Sequence, residues 1–308
     1  MVKVLVTGGA GFIGSHLTEE LIRNKFEVVV VDDLSSGRKS NLPKAAIFKK
    51  MDIRSSKLGD LIKKIKPDYV CHLAAQVSAP KSVKEPALDA DINISGSLNL
   101  IKACQSLKLK NFLFVSTAGV YGDGVDLPTD ELAPLKPLNP YSFSKLTVEN
   151  FLNYFKADLN WPTVVVRLSN VYGPRQKAAG EGGVVAVFSE SLLKSQVLNI
   201  QGRGFQTRDF IYVEDVAKGI SQALLKGQGI YNLATGRPTS LLQLIQGLGE
   251  VIGQVPKVKY VPPREGDIKD SCLKPDKARR ELGFKAEVPL TEGLRRTLLW
   301  FKKSLNKK

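Results

Sequence analysis

Histidine and cysteine are scarce in this sequence, and each shortage excludes a class of site. Only His16 and His72 occur among 308 residues, so a histidine-ligated metal site or a Ser-His-Asp triad would have to be built on one of them. Cys71, Cys104 and Cys272 lie far apart and form no CxxC motif, which argues against a disulfide framework and a cysteine zinc site. We therefore predict a protein of a reducing compartment without a metal centre.

Long hydrophobic runs are also missing. No stretch approaches the roughly 18 apolar residues of a membrane span, and the N-terminal MVKVLVTGG lacks the apolar core of a signal peptide. These absences predict a cytoplasmic protein with no membrane partner. Hydrophobic residues make up 43% and charged residues 24% of the chain, which is the composition of an ordinary globular protein with two domains or one large one.

Acidic residues are outnumbered, since 30 Asp and Glu face 45 Lys and Arg, for a net charge of +15. A basic surface is compatible with nucleic acid, with an anionic small substrate or with a solvated lysine-rich face. Because the basic residues alternate with acids and core residues, we favour the solvated face and do not expect a nucleic-acid partner.

What the sequence does contain is an alternation of short apolar runs and amphipathic stretches, which predicts an α/β fold with a doubly wound parallel sheet. The predicted strands are residues 2–7, 27–32, 68–73, 111–116 and 163–169. The predicted helices are residues 12–24, 56–65, 88–107 and 142–157.

The rhythm changes after Gly173-Pro174, where glycine-rich turns begin. We predict a Rossmann-type nucleotide-binding domain over residues 1–175 and a smaller α/β substrate domain that takes most of 176–308. Part of 210–235 is expected to rejoin the first domain, because it reads as another βα unit.

A glycine-rich loop, TGGAGFIG, joins the first strand to the first helix. Gly8, Gly11 and Gly14 allow a tight turn and a close approach of backbone amides to a pyrophosphate, while the helix start at Phe12 supplies positive dipole charge. Asp32 ends the second strand, where an acid hydrogen-bonds the adenosine ribose and repels a 2′-phosphate. The pattern therefore predicts NAD as the cofactor. The nearby Arg38 leaves NADP as an alternative cofactor. The alternative interpretation of Asp32 is a solvated acid in a turn, with no role in cofactor binding.

Tyr141 and Lys145 in YSFSK stand at i and i+4, on one face of a predicted helix. Lowering a tyrosine pKa from 10 to about 7 takes roughly 4 kcal/mol, which a nearby ammonium and a cationic nicotinamide can supply. The structural alternative is a solvated pair. Thr117 follows the strand NFLFVS at the edge where such folds bind ligands, and it either bonds a reacting hydroxyl or satisfies strand-end backbone groups.

Nine motifs in order along the chain carry a family resemblance. They are TGGAGFIGSHL, VDDLSSG, MDIR, HLAAQVS, STAGVYG, YSFSK, RLSNVYGPRQ, QTRDFIYVED and PPREGD. The chain resembles the extended short-chain dehydrogenase/reductase superfamily, NAD-dependent epimerase/dehydratase family, in its branch of UDP-glucose 4-epimerase type. The resemblance implies C4 inversion of a nucleotide sugar through a 4-keto intermediate, with NAD regenerated in each cycle.

The resemblance also implies roles for individual residues. It makes Tyr141 the base, Lys145 its activator and Thr117 an aid to proton transfer. The implied NAD-binding residues are Gly8, Gly11, Phe12, Ile13, Gly14, Asp32, Asp33, Ser36, Gly37, Asp52, Ile53, Leu73, Ala74, Ala75, Asn93, Tyr141 and Lys145. The implied substrate-binding residues are Gln76, Thr117, Asn170, Arg208, Arg264, Asp267 and Ser271, although Arg208 next to Asp209 is also compatible with a structural ion pair.

Related reactions remain as alternatives. Dehydratases and decarboxylases of this superfamily use acids just after the strand-end hydroxyl, where this chain has Ala118 and Gly119. A uronic-acid 4-epimerase needs no such acid and stays open, and a non-catalytic nucleotide- or RNA-binding member is the alternative of a different class. The small Ser271, where some relatives carry tyrosine, leads us to expect N-acetylhexosamines as well as hexoses. The resemblance further implies a homodimer through helices near 88–107 and 142–157.

Overall fold

The computed structural model of the chain describes residues 1–123, 126–155, 158–159, 161–178, 183–263 and 268–306. The strands are β1 Lys3–Thr7, β2 Glu27–Asp32, β3 Ile47–Lys50, β4 Tyr69–His72, β5 Asn111–Thr117, β6 Thr163–Leu168, β7 Asn170–Tyr172, β8 Leu198–Gln201, β9 Thr207–Tyr212, β10 Gly229–Leu233, β11 Pro238–Ser240, β12 Val258–Val261 and β13 Asp270–Ser271. The helices are α1 Phe12–Arg23, α2 Leu58–Ile65, α3 Ala79–Lys84, α4 Pro86–Ala90, α5 Gly96–Cys104, α6 Pro140–Tyr154, α7 Val184–Leu193, α8 Val213–Lys226, α9 Leu241–Ile252, α10 Asp276–Leu282 and α11 Leu290–Leu305.

Seven strands form one sheet in the order β10-β6-β5-β4-β1-β2-β3, and every neighbouring pair is parallel. The strand order reverses between β1 and β4, which is the place where open α/β sheets bind ligands outside the carboxyl ends of their strands. The prediction of a Rossmann-type doubly wound sheet is confirmed.

Apolar side chains cover both faces of this sheet. One cluster joins the sheet to α1, α8 and α10 through residues such as Leu17, Ile220 and Ala278. The other joins it to α2, α5 and α6 through residues such as Ile62 and Leu100. Burial on both faces explains why the strands read as unbroken β-branched runs.

The remaining strands build two smaller sheets beside the carboxyl edge of the large one. In the first, β9 lies between β11 and β13 and also pairs with β7, and in the second β8 pairs with β12. Helices α7, α9 and α11 enclose a separate apolar cluster here, with Phe188, Leu244 and Leu298 among its members.

Several predicted boundaries differ from the structure. Strand β3 was not predicted, because Ile47 is 41% exposed at the sheet edge and lysines follow it, so no apolar run marks it. The single helix expected over 88–107 is divided into α4, a π-helical turn Asp91–Ser95 and α5. Helix α3 was also missed, since its six residues contain a proline and alternate in character.

Candidate active site

The glycine loop between β1 and α1 is shaped for a close backbone approach. Gly8 has φ +71°, and a Cβ there would lie 2.6 Å from the backbone nitrogen of Ala74. Gly11 is the N-cap of α1, and it has no side chain to bond the first-turn amides. Those amides and the helix dipole suit a pyrophosphate oxygen, so the loop that carries Gly8, Gly11, Phe12, Ile13 and Gly14 fits a dinucleotide.

Asp32 lies next to this loop, at the end of β2, and is 7% exposed. Its Oδ2 accepts a hydrogen bond from the Ala10 amide at 2.9 Å, and its Oδ1 accepts one from the Leu34 amide at 2.8 Å. Burial raises the pKa of Asp32, and the two amides oppose that rise. Each carboxylate oxygen keeps a lone pair for a ribose hydroxyl.

The segment after β2 folds over the same loop. The Arg38 amide donates to the Ala10 carbonyl at 3.0 Å, and a Cβ on Gly37 would lie 2.9 Å from the Ala10 carbonyl carbon. Ser36 and Asp33 are exposed beside it. Four of the predicted NAD-binding residues, Asp32, Asp33, Ser36 and Gly37, therefore lie together.

Asp52 and Ile53 follow β3 and are engaged with other residues. The Asp52 carboxylate pairs with Arg54 at 2.6 Å, and Arg54 also bonds Asp91 at 2.6 Å. Arg54 lowers the pKa of Asp52. Ile53 is buried, and its carbonyl accepts from Asn99 Nδ2 at 2.7 Å. These bonds fix the wall beside β2 where an adenine ring is expected.

The end of β4 closes the other side of the glycine loop. The Leu73 amide donates to the Thr7 carbonyl at 3.1 Å and the Ala74 amide to Thr7 Oγ1 at 3.3 Å. His72, which is completely buried, uses one ring nitrogen toward Thr7 Oγ1 at 2.7 Å and the other toward Ser97 Oγ at 2.8 Å. The predicted NAD-binding residues Leu73, Ala74 and Ala75 thus directly follow β4, next to Gly8.

Asn93 and Gln76 hold each other across the next turn. Asn93 Oδ1 accepts from the Gln76 amide at 2.8 Å, and Asn93 Nδ2 donates to the Gln76 carbonyl at 2.9 Å. The Gln76 side chain bonds Ser78 and Asp89. Asn93 lies in the π-helical turn, and such turns are frequent at functional sites because they redirect one side chain.

Tyr141 and Lys145 occupy the first two turns of α6. Asn139 Oδ1 caps this helix by accepting from the Ser142 amide at 2.9 Å, and Pro140 occupies the first helical position, where it costs no hydrogen bond. The Tyr141 amide donates to Ser82 Oγ at 3.0 Å. Lys145 is 4% exposed, and its Nζ donates to the Val115 carbonyl of β5 at 3.1 Å.

Burial and nearby charges shift the pKa values of Tyr141 and Lys145 in opposite directions. Burial lowers the pKa of Lys145 to about 8, against the opposing charges of Asp89 and Glu149. Burial, followed by the charge of Asp89, raises the pKa of Tyr141 to about 12. The direction is opposite to that needed for a base, so the protein's own groups keep this phenol protonated.

Thr117 lies at the end of β5, and its Oγ1 accepts from the Gly119 amide at 3.1 Å. The hydroxyl proton is then free to point elsewhere, because an acceptor bond does not use it. Thr117 begins the turn Ala118–Tyr121, which packs against α6. Both readings of Thr117, backbone capping and substrate contact, are therefore compatible with its geometry.

Three of the predicted substrate-binding residues, Asn170, Arg208 and Ser271, lie on the smaller sheet. The Arg208 guanidinium donates to the carbonyls of Thr207, Ile268 and Lys269, and Ser271 in β13 pairs with Arg208 in register. Asn170 is exposed in β7, which pairs with β9. Arg264 and Asp267 lie outside the described residues. The carboxylate of Asp209 accepts from Thr235 and Gly236.

A buried charged network next to Lys145 was missed from the sequence. Arg167 and Glu149, 1% and 5% exposed, pair at 2.6 Å. Ser116 bonds Glu149, and Arg167 Nη1 bonds the Tyr121 hydroxyl at 2.9 Å. The sequence does contain a signal for this network, because an arginine inside the apolar run TVVVRLS is expected to be buried and to require an acidic partner.

The described residues form neither a metal-binding cluster nor a membrane-spanning helix. Within the described ranges, no group of three or more His, Cys, Asp or Glu side chains is arranged to hold a metal ion. No helix in the described part of the chain is long and apolar enough to cross a membrane. The three cysteines are buried free thiols.

Comparison with known proteins gives one family. The model of the NAD dependent epimerase/dehydratase family matches residues 4–234. The UDP-glucose 4-epimerase of Mycolicibacterium smegmatis is 38% identical over 309 residues, covering 98% of this chain and 99% of that protein.

Solved structures give the same result over nearly the whole chain. A UDP-glucose 4-epimerase of Thermotoga maritima, crystallised with UDP-glucose, has 42% identity and a TM-score of 0.96, covering 99% of this chain and 100% of that one. A UDP-N-acetylglucosamine 4-epimerase of Methanobrevibacter ruminantium, in complex with UDP-N-acetylmuramic acid, has 34% identity and a TM-score of 0.94, covering 98% and 99%. Structures that resemble this chain so closely are therefore named after different sugar substrates.

Proposed function

Because this chain belongs to the NAD dependent epimerase/dehydratase family, we propose that it is a nucleotide-sugar 4-epimerase that inverts C4 of UDP-hexoses. The observation that carries the proposal is the Tyr141–Lys145 pair on α6, packed against the edge of the sheet that also bears the glycine loop. NAD is the cofactor of the family, and the loop, Asp32 and the end of β4 fit it.

The residues of the chain divide the work of the reaction. Bound NAD would supply the acceptor for the C4 hydride and the donor that restores it. Burial raises the pKa of Tyr141, and Lys145 together with the cationic nicotinamide of bound NAD would lower it. The Tyr141 phenolate would then accept the C4 hydroxyl proton, and the phenol would give it back after the 4-keto sugar has turned. Lys145 favours the phenolate by its charge and binds the cofactor ribose, while Thr117 orients the reacting hydroxyl. A phenol held protonated by its surroundings suits the return step, in which it acts as an acid.

The substrate diphosphate is assigned to Asn170, Arg208, Arg264 and Asp267, with Gln76 and Ser271 nearer the sugar. The register of Arg208 with Ser271 places the two residues side by side on neighbouring strands, and a guanidinium suits phosphate oxygens, which supports this assignment. The small Ser271 supports N-acetylhexosamines as well as hexoses.

A homodimer through α4, α5 and α6 is the proposed assembly. Phe143 and Tyr154 of α6 are 61% and 75% exposed. A groove of about 470 Å³ lies next to Phe143, and its apolar wall includes Ile94 and Leu138. Exposed aromatic side chains beside an apolar groove are typical of an interface. We propose no nucleic-acid partner for this surface.

The proposal is tested by following C4 inversion with NMR, using UDP-galactose and UDP-N-acetylgalactosamine without added NAD. The wild-type protein is expected to invert both. Tyr141→Phe should lower kcat by roughly 10²- to 10⁴-fold, the usual contribution of a general acid-base. Tyr154→Phe, an exposed tyrosine of the same helix, is the matched control and should keep wild-type kcat. Full activity of Tyr141→Phe, or no inversion even with NAD, would contradict the proposal, and uronic-acid substrates would be tried next.

A further inference from the structure

Asp89 on α4 is a buried acid beside the catalytic pair. It is 1% exposed. Its Oδ1 accepts from Gln76 Nε2 at 2.9 Å and from Asn93 Nδ2 at 3.0 Å. Its Oδ2 is buried and has no hydrogen-bond partner among the residues that the structure describes. A bare buried carboxylate oxygen costs free energy in the folded state.

Asp89 is connected to the turn of α6 that carries Tyr141. Asn93 Nδ2, which Asp89 holds, also donates to Ser144 Oγ at 3.2 Å, and Ser144 Oγ donates to the Tyr141 carbonyl at 2.9 Å. Asp89 therefore orients the asparagine that touches the first turn of α6.

Asp89 and the other nearby acid, Glu149, differ in whether a cation pairs with the carboxylate. Glu149 is neutralised by Arg167 at 2.6 Å, whereas no ion pair in the described part of the chain includes Asp89. Its charge thus acts on its neighbours without a bonded cation, and it raises the pKa of both Tyr141 and Lys145.

We infer that Asp89 is a positioning residue of the epimerase site, which aligns Asn93 with the first turn of α6 and uses its unpaired charge to keep Lys145 protonated and Tyr141 able to return its proton. The inference rests on the proposed function. Without Asp89, only the charge of Glu149 would oppose the effect of burial, which favours the neutral form of Lys145.

The other charged groups around the pair do not replace Asp89. Tyr121 and Arg167 bond each other behind β5, and His72 is neutral because burial and Lys145 lower its pKa to about 3. On α3, Lys81 and Lys84 are exposed, and Asp91 of the π-helical turn pairs with Arg54. The groups facing Lys145 with negative charge are Glu149 on its own helix and Asp89.

Asp89→Asn removes the charge and keeps the oxygen that accepts both hydrogen bonds. Since Asp89 raises both pKa values, its loss should move both limbs of the pH profile of kcat/KM to lower pH, by about one unit. Asp215→Asn is the matched control. Asp215 is 0% exposed, and one oxygen accepts two amides, from Glu287 and Val288, while the other has no partner among the described residues.

A second measurement does not depend on turnover. NMR of the protein labelled with ¹³C-lysine gives the titration midpoint of Lys145, assigned with Lys145→Met. We expect a fall of about one unit in Asp89→Asn and none in Asp215→Asn. If the wild-type protein inverts no nucleotide sugar but the midpoint falls, the proposed function fails and the action of Asp89 on Lys145 stands. Unmoved limbs and an unmoved midpoint, with only a lower rate, would overturn the inference.

Discussion

Ser271 is the residue that we propose decides the substrate range. It pairs with Arg208 in register and is half-buried, so a larger side chain would take space next to the ligand. Ser271→Tyr is expected to remove inversion of UDP-N-acetylgalactosamine and to leave inversion of UDP-galactose within a few-fold of wild type. Parallel assays with both substrates check this. Equal loss of both activities would show that the position does not select the sugar.

His72 makes stability depend on pH. Burial lowers its pKa from 6.5 to about 3, so the unfolded chain binds the proton more readily than the folded one. Stability from this group is present above pH 6.5 and is lost as pH falls toward 3, at about 1.4 kcal/mol per pH unit. His16, whose pKa is lowered to about 4 mainly by burial, acts in the same direction.

His72→Gln should therefore flatten the acid side of the stability curve. Urea unfolding between pH 6.5 and about pH 5 is expected to show a loss smaller than that of the wild type by about 2 kcal/mol. His16 is unchanged in this variant and provides the remaining slope. A curve parallel to that of the wild type would contradict the assignment.

Some residues of the candidate site can be predicted from the sequence and others cannot, for a physical reason. The loop of Gly8 to Gly14, Asp32, Tyr141 and Lys145 follow spacings tied to local backbone geometry, and the structure brings them to one edge of the sheet. Asp89 and Glu149 depend on which helices face each other, and a lone acid in a helical pattern looks like an ordinary solvated residue. The raised pKa of Tyr141 likewise comes from burial that the sequence does not display.

At the scale of elements, the cap of α6 ties stability to catalysis. Asn139→Ala removes the bond from Asn139 Oδ1 to the Ser142 amide and should cost about 1 kcal/mol. It should also lower kcat, because Tyr141 lies in the turn that loses its cap. Ser240→Ala removes the cap of α9 and is expected to cost similar stability with kcat unchanged. Urea unfolding and initial rates check both, and equal kcat values in the two variants would contradict the link.

The elements themselves were predictable where burial fixed their composition. Strands β1, β2 and β5 each contain an uninterrupted apolar run between polar end residues, and they match the predictions to within a residue. Strand β3 and helix α3 were missed because pairing at a sheet edge and packing against α6 determine them, and neither requires an apolar run. The π-helical turn Asp91–Ser95 is equally hidden, since its pattern is helical on both sides.

At the scale of the whole molecule, a substitution on the exposed face of α6 can test the proposed homodimer. Phe143→Glu should place a charge in the groove and give a monomer at concentrations where we expect the wild type to be a dimer, because desolvating an unpaired carboxylate is costly. Sedimentation velocity measures the mass. Val255→Glu changes another apolar residue, 94% exposed on the loop after α9, and should stay dimeric. A monomeric wild type, or a dimeric Phe143→Glu, would contradict the proposed interface.

The position of β10 has a consequence for synthesis on the ribosome. Strand β10 completes the large sheet beside β6, although the chain has by then already built β7, β8 and β9. Helix α8, which covers one face of that sheet, also emerges late. A nascent chain must therefore carry the uncovered edge of β6 and an exposed apolar face until Leu233 has left the exit tunnel, and it is in this interval that it most needs protection by chaperones.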